Sequence, residues 1–146
     1  MATPTAHTDA QGQNDIARNV RQWTDLDLFF GKKATSKDIS KVTDIQAVKR
    51  SIRNLVLTNH YEKPFHPEIG SGVRGILFEP MTPLTAHILT RKIEDVIENF
   101  EPRARLISVR ALPNLDRNEY ECTIEFYVAN TPTELVDLTV FLERLR

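Results

Sequence analysis

The 146-residue sequence predicts an α+β fold: two main helices packed on a C-terminal three-stranded antiparallel meander, with a proline- and glycine-rich structured loop between the helices. Three patterns carry that expectation. Apolar residues recur at three- and four-residue steps in two segments, the period of a helix with one buried stripe. After residue 103 they alternate with polar residues, the period of strands with one wet face. Between the helical segments, His60 to Pro80 holds three prolines and three glycines, which excludes a long regular element.

Residues 1–22 are read as a flexible or partner-ordered tail, because MATPTAHTDAQGQN at its start offers almost no large apolar side chains whose burial could offset the entropy of ordering. Residues 23–146 are read as one domain. Trp23, Leu26, Leu28, Phe29 and Phe30 are expected to dock on the main body, with Leu26 and Leu28 alternating against Asp25 and Asp27 in a short strand. Residues 32 to 42 are expected to be a polar connection. Thr43 and Gln46 have the spacing of a capping box, which starts a helix whose stripe is Ile45, Val48, Ile52, Leu55 and Val56.

In the loop, Phe65, Ile69, Val73, Ile76, Leu77 and Phe78 are expected to pack inward, with one helical turn possible from Val73 to Leu77. Gly70 and Gly72 are structural turn residues that supply positive φ. Thr82 and Pro83 cap and start a second helix with the stripe Ala86, Leu89, Ile93, Val96, Ile97 and Phe100. Pro102 forces the chain out of that helix by about Glu101. Three strands follow. Their inward residues are Ile107, Val109 and Ala111, then Tyr120, Cys122, Ile124, Phe126 and Val128, then Val136, Leu138, Val140 and Leu142, with turns at 113 to 118 and 129 to 133.

Composition removes several function classes. With 19 basic against 20 acidic residues and a formal charge of -1, no excess of positive charge exists to release counterions from nucleic acid, so no nucleic-acid partner is expected. The single Cys122 cannot close an internal disulfide, and no basic flank precedes an apolar stretch at the start, so folding in a reducing cytosol is expected. No apolar run reaches the ~20 residues of a membrane-spanning helix, and no membrane partner is expected.

No residue pattern carries catalysis or a cofactor. His7, His60, His66, His87 and Cys122 have no recognised ligand spacing, so no metal and no cofactor are expected. Cys122 alternates with core residues and reads as a small buried hydrophobe. The IGSG run at 69 to 72 lacks the phosphate-loop lysine, and a tight turn is the simpler reading. Glu68, Glu79 and Glu101 are acids, but nothing pairs them across a cleft as glycoside hydrolysis requires.

Several ordered runs resemble a known family: NLVLT at the end of the first helix, PEIGSG in the loop, LFEP after it, and EPR between the second helix and the sheet. The chain from about residue 43 onward is similar to the baseplate wedge proteins, or sheath initiators, of contractile phage tails, with relatives in type VI secretion and tailocin baseplates. The resemblance implies a structural, non-enzymatic protein of the virion tail baseplate, assembled in the host cytoplasm. It implies six copies around the tail axis, and as partners other wedge subunits, the sheath protein, and tube or hub proteins. Some family members carry a lysozyme-like label, which is the route to a rival peptidoglycan-hydrolase reading.

The resemblance places the EPR motif on Glu101, Pro102 and Arg103 and gives it a wedge-binding role. Two pairings for Arg103 stay open: a carboxylate on a partner, or Glu101 or Glu79 in its own chain. The last strand, with Leu135, Asp137, Thr139, Phe141 and Glu143 on its outer face, is expected to be a sheath-facing edge, because a meander must have two edges and each offers unpaired backbone groups.

Overall fold

The computed structural model describes residues 23–33 and 37–145; the tail assigned to residues 1–22 lies outside them. Strand β1 (Thr24–Leu26) pairs antiparallel with β2 (Lys41–Thr43) in a short ribbon, which runs directly into helix α1 (Asp44–Leu57). A loop leads to the single turn α2 (Val73–Ile76), then to the long helix α3 (Pro83–Phe100). Strands β3 (Ala104–Asn114), β4 (Glu119–Val128) and β5 (Thr131–Glu143) close the chain as a meander in the order β3-β4-β5. The α+β architecture matches the fold expected from sequence.

The core forms where the helical stripes meet the inner sheet face. Val48, Ile52 and Val56 of α1 and Leu89, Ile93, Val96 and Ile97 of α3 are buried against Tyr120, Cys122, Ile124, Phe126 and Val128 of β4. Helix α3 packs chiefly on β3, while α1 lies over β4 and β5. Thr82 caps α3 by accepting a hydrogen bond from the Thr85 amide at 3.1 Å, and Pro83 occupies the first turn, where no amide donor is missed. Thr43 sits at the N-cap of α1 but makes no capping bond with its side chain. The Asp44 carboxylate instead accepts from the Trp23 amide at 3.1 Å, and the Asp44 amide donates to the Trp23 carbonyl at 2.9 Å. Tying the helix start to the preceding ribbon replaces the expected capping box.

Sequence periodicity misplaces three apolar groups. Ile107 is half exposed, because a bulge between Leu106 and Ser108 spends one residue and returns Val109 and Ala111 to the inner face. Phe65 is 98% exposed and Phe78 is also exposed, so the proline-rich loop presents aromatics outward instead of packing them, although Val73, Ile76 and Leu77 are buried as expected. Leu26, Leu28, Phe29 and Phe30 are all exposed, and of the N-terminal segment only Trp23 packs against the core. The polar connection also hides a strand, β2, whose partner is β1.

The GSG run is a stitched turn. Ser71 is buried, donates its hydroxyl to the Val56 carbonyl at 2.7 Å and its amide to the Thr58 carbonyl at 2.9 Å, and so holds the loop against the end of α1. That approach leaves no room at Gly70, where an added Cβ would lie 2.5 Å from the His60 nitrogen and 2.7 Å from the Asn59 oxygen. Gly72 has φ 60° as the residue before α2, a left-handed conformation that costs other residues about 1–2 kcal/mol. Gly70→Ala should therefore destabilise the protein more than Gly72→Ala, by more than about 2 kcal/mol in urea unfolding. Equal losses would mean that the backbone at 59 and 60 yields easily.

Candidate functional site

Glu101 is the C-cap of α3 and is only 2% exposed, so its charge requires a partner. Pro102 turns the chain at once toward β3, which brings Arg103 back over it. The Arg103 Nε donates to Glu101 Oε1 at 2.7 Å and Nη2 donates to Oε2 at 3.0 Å, a two-pronged pair. The remaining nitrogen, Nη1, donates to Asp25 Oδ1 and Oδ2 of β1 at 3.2 and 3.1 Å. Burial acts to raise the Glu101 carboxyl, but the Arg103 bonds and a contribution from the Ser51 hydroxyl outweigh it and leave the group below its ordinary value. Hydrogen bonding to Glu101 raises Arg103 further above its own.

Of the pairings left open for Arg103, the structure contains the internal one, with Glu101 and not Glu79. Asp25 was not foreseen. The signal was present in the alternation of TDLDL, read on the wrong face: Asp25 and Asp27 turn inward toward arginines, and the leucines turn out. Asp27 repeats the arrangement on α1, where it accepts from Arg50 Nη1 and from Ser40 Oγ at 2.9 Å, while the Arg50 guanidinium lies 5.2 Å from the centre of the Phe29 ring. Two arginines thus clamp the β1–β2 ribbon to the helical layer. Pro102 itself is exposed.

Strand β5 is an edge of the meander. The Arg144 amide donates to the Asn118 carbonyl of the β4 side at 3.0 Å, so the alternation along an antiparallel pair directs the backbone groups of Leu135, Asp137, Thr139, Phe141 and Glu143 away from β4. No described strand pairs with them. The Leu145 amide, next in that outward series, donates to the Leu77 carbonyl at 3.0 Å, so the end of α2 closes the edge there. Leu135 and Phe141 are 53% and 55% exposed, whereas Leu145 turns back onto the core. The opposite edge is different in kind: β3 carries the bulge at Ile107, and the same alternation turns Pro113, which has no donor, to the outside. At its start β5 is irregular around Pro132, which leaves the stretch from Leu135 to Glu143 regular and open.

Burial pushes the Cys122 thiol up to about 12, which suits an inert core residue. Among the described residues, no three histidine, cysteine or acidic side chains gather around a point that could hold a metal ion. No described helix is long and apolar enough to cross a membrane.

This α+β fold, with one clamped ribbon and one open strand edge, has counterparts among solved contractile-tail baseplate structures. A chain of the 6-fold symmetrised anti-feeding prophage baseplate superposes with a TM-score of 0.60 at 19% identity, covering 86% of this chain and 88% of that one. A chain of the postcontracted pyocin R2 baseplate gives 0.50 at 19% identity, covering 76% and 96%. A Geobacter sulfurreducens protein provisionally described as a tail lysozyme gives 0.59 at 24% identity, covering 68% and 92%. These three establish the fold alone. The family model described as baseplate wedge protein gp25 matches residues 42–133, and the baseplate wedge protein gp25 of Enterobacteria phage T4 is 33% identical over 127 residues, which is 87% of this chain and 96% of that protein. The chain belongs to the baseplate wedge protein gp25 family and is a structural component of a contractile-tail baseplate.

Removing Arg103 would leave Glu101 buried and unpaired. Arg103→Ala should cost about 3 kcal/mol, and adding Glu101→Gln should recover part of that loss, as read by chemical unfolding. The depressed Glu101 carboxyl contributes stability that is complete above its ordinary value of 4.5 and is lost as pH falls through its lower folded value. The acid limb of the melting curve should therefore be shallower in Glu101→Gln than in the wild type. Parallel limbs would show that Glu101 is not a source of the acid sensitivity.

Proposed function

We propose that the protein is a wedge subunit that meets its neighbours through the ribbon and the Glu101–Pro102–Arg103 corner, and that it starts the tail sheath by accepting a strand along the outer edge of β5. The carrying observation is the regular open edge from Leu135 to Glu143, beside an opposite edge that is blunted. An added strand would also find a bed for its inner side chains, because a shallow trough between α1 and the ribbon segment, lined by Leu28, Phe29, Lys49, Arg53 and Leu57, meets β5 at Leu138. Residues 23–146 act as one unit in this reading, and family resemblance implies six copies around the tail axis with the tube or hub inside.

At the corner, Arg103 acts by position: it holds the ribbon so that exposed Leu26, Leu28, Phe29 and Phe30, with Pro102, form an apolar face of the kind that partners cover. A type VI secretion or tailocin baseplate is the neighbouring reading. Identity of 33% to a phage protein favours a phage tail.

The Geobacter protein's description raises a peptidoglycan hydrolase as the rival reading. Such an enzyme needs a carboxylic acid with a raised pKa. Glu101, the buried carboxyl here, is shifted downward and bound by Arg103. Purified protein should leave the turbidity of bare cell walls unchanged, and clearing that disappears on replacement of one carboxylate would establish hydrolysis.

Strand addition has its own test. Thr139 directs its amide outward, so Thr139→Pro removes a donor from the free edge while leaving the β4 pairing in place. The variant should fold and enter the wedge but fail to nucleate sheath, scored by electron microscopy of assembled particles. Normal sheath on a folded Thr139→Pro wedge would refute strand addition.

A further inference from the structure

The outer face of the open edge carries an unbalanced charge pattern. Register places Asp137 directly opposite Glu125 and Glu143 directly opposite Glu119. Both are the pairs without cross-strand hydrogen bonds, where side chains stand closer, and like charges so placed repel. The two β4 carboxylates have partners on their far side: Glu125 accepts from Ser108 Oγ at 2.7 Å, and Glu119 lies 3.7 Å from Arg117 Nη1. Asp137 and Glu143 are exposed, and no described cation pairs with either. Glu121, opposite Phe141, adds a fifth acid to this face.

We infer that the strand taken up by β5 is a cationic one, with lysine or arginine on the outer sheet face at two positions six residues apart, opposite Asp137 and Glu143. This rests on the reading of β5 as a strand acceptor and adds the chemistry of the partner. Strand periodicity puts residues six apart on one face, so a single regular strand can satisfy both acids. The same strand would set apolar side chains against Leu135 and Phe141 and a small or polar one against Thr139. Each new pair neutralises an acid that is now repelled by its β4 neighbour. The pattern also rejects alternatives: a second copy of β5 would bring carboxylates to this edge, so the acids disfavour self-pairing while they select a basic partner.

The test uses the full chain and three fluorescein-labelled nine-residue peptides of one alternating sequence, differing only at two positions six apart, which hold lysine, glutamine or glutamate. Fluorescence polarisation should show the lysine peptide binding roughly tenfold more tightly than the glutamine peptide, with the glutamate peptide weakest and the differences shrinking in high salt. Asp137→Lys with Glu143→Lys should reverse the order. The milder Asp137→Asn with Glu143→Gln should level it, which guards against a folding defect in the reversed variant. Equal affinities in the wild type, or an order unchanged by reversal, would overturn the charge inference alone, provided that Thr139→Pro abolishes binding of all three. If Thr139→Pro binds them as well as the wild type does, or if none binds the wild type, the acceptor reading fails as well.

Discussion

A carboxylate at the end of a long helix, 2% exposed, can persist only if a cation is held against it, and in this protein that cation comes from two residues further along the chain. The geometry depends on Pro102. It ends α3 and turns the backbone within one residue, so that Arg103 folds back on Glu101 and still has a nitrogen left for Asp25. One guanidinium therefore joins the exit of α3, the entry to β3 and the N-terminal ribbon. Without it the ribbon would retain Asp27 on Arg50 and the Trp23–Asp44 bonds, but the buried acid would be unpaired.

The sheet is organised by an asymmetry between its edges. Helix α3 packs on β3, and the α3–β3 corner, the Ile107 bulge and Pro113 all fall on that side. On the other side, among the described residues, the β5 edge is bonded outward just beyond its end, at Leu145. Charge takes over where covering stops: the acids of β5 keep the free edge from pairing indiscriminately. The protein thus carries two surfaces, an apolar ribbon face fixed by arginines and a strand edge marked by acids, with a trough between them lined by Leu28, Phe29 and Leu138.

Membership of the baseplate wedge protein gp25 family rests on sequence, since the family model reaches from β2 into β5 and the phage relative spans most of the chain. The baseplate structures from the anti-feeding prophage and pyocin R2 share the fold at 19% identity, which is what a core defined by periodicity permits. Exposed residues such as Phe65, Phe29 and Asp137 are free of that constraint.

The sequence by itself determined the two helices, the meander and the inward faces of β4 and β5, because each follows from local periodicity or a proline. It also made the EPR run conspicuous, and through it the family. Tertiary structure decided the rest. Whether Asp25 or Leu26 faced inward depended on an arginine 78 residues away, since a two-residue period fixes the alternation but not which face meets the body. Whether Ile107 was core depended on a bulge visible only in the pairing with β4. The open edge of β5 is likewise a property of the assembled sheet: which strand has no neighbour, and which carboxylates stand opposite each other, exist only once three successive strands have taken their register.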